Sequence, residues 1–317
     1  MYRIDLHSDT LTMLRKKEDL AHSHCQVTLE NLKQSETLVQ CFSVFIPTGY
    51  FPGFMRKGLT QRQADRIYKK YLETMETFEG DLLPVKSHAD IDRCKEEGRT
   101  GVLLTLEDGG IMGDQIENVE SFYKKGVRLV TLTWNSQNPI GYPRSSDKEK
   151  MNRGLKPYGF AVIEEMDRLG MAVDVSHLSD GGFWDVIGHC KKPVLASHSD
   201  ARAVKDHPRN LTDDMIRAIA EKGGIIGINF APEFLSDAKG NRAADAARHI
   251  RHIYNVGGED VLAFGSDFDG ITGCDELKGP CDCEKILEAL KAEPGFPGTA
   301  IEKLWWKNAD RYFESVL

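Results

Sequence analysis

The sequence predicts an α/β fold, a closed (β/α)8 barrel of the TIM type with a metal site at the C-terminal ends of its strands. Its 317 residues fit one barrel, and we expect one domain over residues 1–317. Short apolar runs alternate with segments of helical periodicity, and most runs are apolar throughout, as in parallel strands buried on both faces. About eight such units favour a barrel over the alternative, a doubly wound sheet.

The predicted strands are rich in Val, Ile and Leu. They are Arg3–His7, Leu38–Ile46, Thr100–Glu107, Val127–Trp134, Met171–His177, Pro193–His198, Gly223–Phe230 and Val261–Asp267. The predicted helices are Gln61–Phe78, Gln115–Lys125, Tyr158–Leu169, Asp180–Cys190, Asp213–Lys222 and Ala243–Val256. Gly126, Gly170 and Gly223 follow helical segments where a C-terminal cap is expected.

Two connections are long, Pro47–Leu59 and Asn135–Lys156, and both contain several Gly and Pro residues. Loops of this length in a compact domain usually serve a function. Because the loops that follow the strands of a barrel surround its active site, we expect both to form walls or lids of the site.

The composition excludes some partners. The net charge is −8 and the isoelectric point is near 5.7, so we expect neither nucleic acid nor an anionic membrane as a partner. No apolar run approaches the ~18 residues of a membrane span. The first ten residues carry charges where a secretory signal would be apolar. These observations predict a cytoplasmic protein.

The seven cysteines are scattered and odd in number, which does not indicate a disulfide framework. Cys274, Cys281 and Cys283 lie close together in the sequence, and an additional metal site is one interpretation. A C-x-C alone lacks the paired spacing of zinc motifs, so a loop that carries thiols is the favoured interpretation.

Metal-binding residue types follow five of the predicted strands. The strand ends are Asp5–Asp9, Leu104–Glu107, Asp174–His177, Ala196–Ser199 and Gly265–Asp269. In a barrel these ends converge on one mouth. A charged group at the end of an apolar strand is costly unless it is paired or binds metal. The sequence therefore predicts a metal site at the mouth.

The candidate ligands are His7, Asp9, Glu107, His177 and His198. Imidazole and carboxylate ligands suit zinc or another divalent first-row metal. Five ligands are too many for one open tetrahedral site, and they fit two ions that share Glu107. Taken alone, a strand-end histidine is more often a core residue, and Asp269 could simply cap a helix. The remaining histidines are predicted to be surface or helix residues: His22, His24, His88, His189, His207, His249 and His252.

The order of these motifs resembles the renal (membrane) dipeptidase family and its bacterial relatives, within the metal-dependent hydrolase superfamily. The resemblance runs from His7-x-Asp9 through Glu107 with Gly109-Gly110, His177 and His198-Ser199 to Gly265-x-Asp267-Phe268-Asp269-Gly270. It continues to Lys307–Arg311, near the end of the chain.

The resemblance implies a zinc-dependent dipeptidase with two zinc ions per chain, in which a metal-bridging hydroxide attacks dipeptides, L-D dipeptides among them. It implies that His7 and Asp9 hold one ion, that His177 and His198 hold the other, and that Glu107 bridges them. The resemblance further implies that Asp267 is the catalytic acid/base, a role for which chemistry alone leaves Asp269 open. Arg209, at the family's spacing, would bind the substrate carboxylate, which suits a planar guanidinium. A homodimer is also implied.

One departure concerns the end of the fourth strand. Better-known members have a histidine near the substrate there, and this sequence has Trp134, followed by Asn135. An indole can form a wall of a pocket but cannot accept a proton. We therefore expect Trp134 and Asn135 to contact the substrate in a different way, with Asn135 or a residue of a lid loop compensating for the histidine.

Three alternatives stay open at this stage. The nearest is a metal-dependent amidohydrolase that acts on another amide, an ester or a lactam. The second is a phosphoesterase, although no Gly-rich phosphate loop is present. The third is a non-catalytic metal-binding protein.

Overall fold

The computed structural model describes residues 1–317 except 51–55, 239, 241, 273 and 293–294. At positions 56 and 57 it describes the backbone but not the side chains. Its strands are β1 Arg3–Asp5, β2 Thr37–Phe45, β3 Leu82–Pro84, β4 Thr100–Glu107, β5 Val127–Thr131, β6 Ala172–Asp174, β7 Leu195–Ala196, β8 Ile225–Ile228 and β9 Leu262–Phe264.

The described strands pair in parallel and close on themselves. Around the ring the strands follow the order β1, β2, β4, β5, β6, β7, β8 and β9, and β9 pairs with β1 to close it. The short β3 pairs only with β4, outside this ring. The closed ring of eight confirms the predicted (β/α)8 barrel and excludes the doubly wound sheet.

Helices cover the outside of the barrel. They are α1 Thr10–Met13, α2 Leu29–Gln34, α3 Arg56–Thr77, α4 His88–Glu97, α5 Glu117–Lys124, α6 Lys148–Met151, α7 Pro157–Leu169, α8 Asp180–His189, α9 Asp213–Glu221, α10 Pro232–Leu235, α11 Arg242–Gly257, α12 Cys283–Ala292, α13 Gly298–Glu302 and α14 Asn308–Val316. Short 3₁₀ turns are Thr48–Tyr50, Gly109–Met112, Glu259–Val261 and Pro280–Asp282, and a π turn is Lys303–Lys307. No helix of the described residues is long and apolar enough to cross a membrane.

All six predicted helices are present, with ends that differ by a few residues. The exception is α3, which begins at Arg56, so the loop predicted as Pro47–Leu59 ends earlier. Part of that loop, including Pro52 and Gly53, lies outside the described residues. Gly170 ends α7 with φ of 75°, the left-handed conformation that a C-terminal cap requires.

Except for β4, the strands that lead to the polar residues are shorter than predicted at those ends. The chain leaves the hydrogen-bonded ladder before His7, His177 and Asp267, and the last two adopt positive φ values of 66° and 62°. Such conformations are uncommon outside glycine and occur where surrounding structure holds them. The turns aim these side chains at the mouth instead of continuing the sheet.

The opposite end of the barrel is covered by α14. The Tyr312 hydroxyl donates to the Pro193 carbonyl, and Arg311 donates to the Gly223 carbonyl, both of which precede strands. Tyr312, Phe313 and Val316 are buried against the apolar lower part of the barrel. The barrel is therefore apolar at its base and polar at its mouth.

Candidate active site

The predicted ligands meet at the mouth around Glu107, the last residue of β4. A Glu107 carboxylate oxygen lies 3.5 Å from His7 Nε2, and the other lies 3.1 Å from His177 Nε2 and 3.6 Å from His198 Nε2. Asp9 completes the cluster, with Oδ1 3.9 Å from His7 Nε2. All five side chains are buried.

Three overlapping groups of these side chains have ligand atoms within 4.8 Å of one another. They are His7 with Asp9 and Glu107, Glu107 with His177 and His198, and His7 with His198 and Asp267. Each group could hold one divalent cation. Glu107 belongs to the first two groups, as a carboxylate shared between two ions would.

Hydrogen bonds orient the imidazoles of His177 and His198. Their Nε2 atoms are 3.0 Å apart and face the site. The Nδ1 atom of His177 lies 3.2 Å from the Asn135 amide oxygen, and that of His198 lies 2.6 Å from the Ser197 hydroxyl. A proton on each Nδ1 satisfies these contacts and leaves the Nε2 lone pairs free to bind a cation.

Asp174, at the end of β6, anchors the Ser197 contact. Its carboxylate accepts hydrogen bonds from the Ser197 hydroxyl and the Thr131 hydroxyl, both at 2.5 Å. It also accepts from the backbone N–H groups of Ser176 and Ser197. This buried carboxylate links three neighbouring strands beneath His198.

His7 has no comparable support. Neither of its ring nitrogens has a hydrogen-bond partner among the described residues, and Asp9 Oδ1 is also buried without one. The His7 ring stacks on the His198 ring, with centroids 3.9 Å apart. Orphaned buried polar atoms are rare in native proteins, so these atoms indicate a missing ligand.

The pKa of His7 is shifted in the opposite direction from the pKa values of His177 and His198. Burial opposes the charged form of His7, but Glu107, Asp9 and Asp267 outweigh it and raise the His7 pKa to about 10. Burial and the positive charge of Arg209 lower the His177 pKa to about 3, and burial lowers the pKa of His198 well below its usual range. The carboxylates around His7 therefore favour positive charge on that side of the cluster.

Asp267 points into the cluster and Asp269 points away. Asp267 Oδ1 lies 3.7 Å from His7 Nε2, and burial together with Glu107 raises the Asp267 pKa to about 6. Asp269 accepts hydrogen bonds from the Thr10 hydroxyl and the Gln26 backbone, both at 2.6 Å. The geometry thus distinguishes two carboxylates that chemistry alone leaves equivalent in the sequence.

Arg209 lies beside the cluster without a counter-ion. It is buried, and its guanidinium donates to the His198 carbonyl at 2.9 Å and to the Ser199 hydroxyl at 3.3 Å. Its Nε has no partner, and no carboxylate among the described residues forms an ion pair with it. A buried unpaired guanidinium is costly unless an anion reaches it.

Comparison with known proteins assigns the family. The model of the membrane dipeptidases, peptidase family M19, matches residues 1–316. The chain belongs to this family. It is therefore a metal-dependent dipeptidase, a hydrolase of the metallopeptidase class.

Individual relatives agree. A protein of Klebsiella pneumoniae, named only by its position in the pqqA 5′ region, is 37% identical over 75% of this chain and 90% of its own length. An uncharacterised dipeptidase of Schizosaccharomyces pombe is 32% identical over 96% of this chain and 80% of its own. The fold is similar to that of a metallopeptidase from Rhodobacter sphaeroides, with a TM-score of 0.87, 24% identity, and coverage of 100% of this chain and 99% of that one.

Trp134 lies in the loop after β5, at the edge of the cluster. Its ring lies beside His177, with centroids 6.2 Å apart, and packs against Phe45 and Tyr50 at 4.9 and 5.7 Å. Asn135 contacts His177 as described above and is exposed. Trp134 and Asn135 therefore provide an aromatic wall and a hydrogen bond to one imidazole.

Two polar residues near the site were missed by the sequence reasoning. Asn229, after β8, donates from its side-chain amide to Asp267 Oδ2 at 3.0 Å. Asp108, after Glu107, accepts from the Thr48 hydroxyl at 2.6 Å and from the Asn138 side chain at 2.8 Å, and so joins the two mouth loops. Their positions directly after strands were the available signal, but Asn and Asp are also common in ordinary turns.

The cysteine cluster is separate from this site. All seven cysteines are free, and none belongs to a group of potential metal ligands among the described residues. Cys281 is exposed, whereas Cys274 and Cys283 are buried. Cys274 lies in the connection after β9, Cys281 in the 3₁₀ turn Pro280–Asp282 and Cys283 at the start of α12, so the interpretation as a loop holds for only part of the cluster.

Proposed function

We propose that this dipeptidase acts through two zinc ions. His7 and Asp9 would hold one ion, His177 and His198 the other, and Glu107 both. The observation that carries the proposal is the convergence of these five buried side chains, with ligand atoms in overlapping groups within 4.8 Å. The donor set contains imidazole and carboxylate but no thiolate, which suits zinc, and the orphaned nitrogens of His7 fit a cation as their partner.

When bound, the ions supply a nucleophilic hydroxide near neutral pH and polarise the scissile carbonyl. Asp267 then has the role of general acid and base. Its carboxylate takes a proton from the attacking water and returns it to the amine nitrogen as the C–N bond breaks. The Asn229 amide holds Asp267 Oδ2, so the other oxygen faces the cluster.

Arg209 would bind the C-terminal carboxylate of the substrate, and its lack of any counter-ion supports this role. A fixed cation beside the cluster would restrict cleavage to short peptides. Trp134 would form an apolar wall for the substrate, while Asn135 holds His177 and borders the same space.

The substrates that we propose are L-L dipeptides and dipeptides with a D-residue at the C-terminal position. The similar Rhodobacter sphaeroides enzyme carries a phosphinate mimic of L-Ala-D-Ala, which supports the second group. We further propose a cytoplasmic enzyme, because its cysteines are free, and a homodimer, which the mass in solution would test.

The test is a matrix of L-L and L-D dipeptides assayed with purified protein, before and after chelation and with zinc added back. We expect hydrolysis to disappear on chelation and to return with about two zinc ions per chain. Two bound ions without cleavage of any dipeptide would favour another amide, and cleavage that survives chelation would contradict the proposal.

The role of Asp267 is tested by Asp267→Asn. Because the substitution removes the proton acceptor and keeps the shape, we expect kcat to fall about 10²- to 10⁴-fold with zinc content unchanged. Asp275→Asn, at an exposed position on the same segment, is the control and should keep full activity. Full turnover in zinc-loaded Asp267→Asn would refute the role.

A further inference from the structure

Arg144 is a second arginine at the mouth, in the loop between β5 and α7. Its backbone N–H donates to the His177 carbonyl at 2.7 Å. Its neighbour Pro143 pairs with Leu178 in an isolated antiparallel bridge, and Ser179 N–H donates to the Tyr142 carbonyl. These contacts fix the start of the Arg144 side chain directly beside a residue of the candidate metal cluster.

The Arg144 guanidinium is without a counter-ion. The side chain is partly buried, its Nε is buried without a hydrogen-bond partner, and it forms no ion pair within the described ranges. Glu233 is the main acidic group that acts on Arg144, but the two form no ion pair. Arg144 is thus a cation with no ion-pair partner among the described residues and with its Nε buried away from water.

Arg144 and Arg209 act on the same space. After burial, both positive charges contribute to the low pKa of His177, and Arg144 also contributes to the lowering of the Arg209 pKa to about 10. Both arginines adjoin the same pair of histidines, since Arg144 N–H donates to the His177 carbonyl and the Arg209 guanidinium donates to the His198 carbonyl. Two positive charges so placed repel each other, and neither forms an ion pair among the described residues. One monocarboxylate would compensate only one of them.

We propose that the preferred substrates are dipeptides whose C-terminal residue is acidic, aspartate or glutamate. Arg209 binds the α-carboxylate of that residue and Arg144 binds its side-chain carboxylate. The inference rests on the proposed function, since it takes the role of Arg209 from there. A guanidinium binds a carboxylate through two parallel hydrogen bonds, so each arginine can take one of the two groups.

The experiment compares Ala-Asp with Ala-Asn, which differ in charge and hardly in shape. Both are assayed with zinc-loaded wild-type enzyme, with Ala-Ala as the reference and in whichever configuration of the C-terminal residue is cleaved faster. We expect kcat/KM for Ala-Asp to exceed that for Ala-Asn at least tenfold. In Arg144→Gln we expect this ratio to fall to about one.

Arg153→Gln is the matched control. Arg153 lies in the same loop, is half exposed and pairs with Glu149, so its loss should leave the ratio unchanged. A ratio that falls equally in Arg153→Gln would show a general charge effect and overturn the role of Arg144.

The wild-type ratio tests the inference even if Arg144→Gln does not fold. A ratio near or below one, with Ala-Ala cleaved, overturns this inference and leaves the dipeptidase proposal intact. If none of the three dipeptides is cleaved and the full matrix of L-L and L-D dipeptides also gives no cleavage, the proposed function itself is overturned. A high wild-type ratio that persists in folded Arg144→Gln also refutes the assignment to Arg144.

Discussion

The two sides of the Glu107 cluster are held in different ways. On one side, His177 and His198 each have an Nδ1 partner, Asn135 and Ser197. On the other side, neither nitrogen of His7 has a hydrogen-bond partner among the described residues. Two groups of similar chemistry, a few ångströms apart, therefore depend on different parts of the structure.

Backbone hydrogen bonds, instead of hydrogen bonds to its ring, position His7. The His7 carbonyl accepts from the Asp267 N–H at 3.2 Å and from the Ser266 hydroxyl at 3.3 Å, and Asp9 N–H donates to the Phe268 carbonyl at 2.9 Å. The segments that carry His7, Asp9 and Asp267 thus run side by side. The comparison indicates that side-chain substitutions can loosen His198, whereas His7 depends mainly on the path of the chain.

The largest loss of zinc and of activity is expected when Glu107, which both sides of the cluster share, is substituted. Glu107→Gln keeps the shape but loses the charge and one acceptor oxygen that the histidines share. We expect both ions to bind more weakly, zinc content after dialysis to fall well below two per chain, and kcat/KM to fall on the order of 1,000-fold. Glu117→Gln, at an exposed position, is the control. Retention of two ions by Glu107→Gln would show that the carboxylate is not shared.

Ser197→Ala separates the two sides. It removes the only hydrogen-bond partner of His198 Nδ1 among the described residues, and loss of such a partner typically weakens metal binding 10- to 100-fold. At limiting zinc we expect the stoichiometry to fall toward one, because the His7 side keeps its ligands and contacts. Zinc titration with calorimetry measures both affinities.

Ser266→Ala is the matched variant on the other side. Ser266 contacts only backbone near His7, so its loss leaves every imidazole nitrogen with the partner it had. Equal losses of zinc affinity in the two serine variants would refute the contrast between the sides.

Much of the barrel could be predicted because its strands are buried on both faces. Continuous apolar runs such as Thr100–Glu107 stand out from the amphipathic helices, and that strand has the predicted bounds. The β3 strand and α4 were missed. The strand has three residues and ends in Pro84, and α4 has only two buried residues, so neither shows a clear periodicity.

Some residues of the candidate site could also be predicted from the sequence, and others could not. Charged residues at strand ends are conspicuous, so His7, Glu107 and His198 could be predicted. Ser197 and Asn229 could not, because their contacts depend on which strands become neighbours in the closed barrel. The roles of the site residues, one domain over residues 1–317 and a cytoplasmic location stay predictions.

His249 shows a third arrangement, a buried imidazole with both nitrogens satisfied. It lies in α11, as predicted, where its Nδ1 accepts from the Ala201 N–H at 3.1 Å and its Nε2–H donates to the Leu235 carbonyl at 3.0 Å. Burial lowers its pKa from 6.5 to about 4. Between pH 6.5 and 4 the unfolded chain binds more protons at this residue, so its contribution to stability is complete above pH 6.5 and is lost as the pH falls.

Between pH 7.5 and pH 5, we expect the free energy of unfolding of the wild type to fall by about 2 kcal/mol more than that of His249→Gln. Urea unfolding with chelator present isolates this difference, because other groups titrate in both proteins. His22→Gln, at a largely exposed position, should behave as the wild type. Equal losses in the wild type and His249→Gln would mean that His249 is not held neutral. The contrast with His7, whose free nitrogens we assign to a metal ion, would then lose its reference.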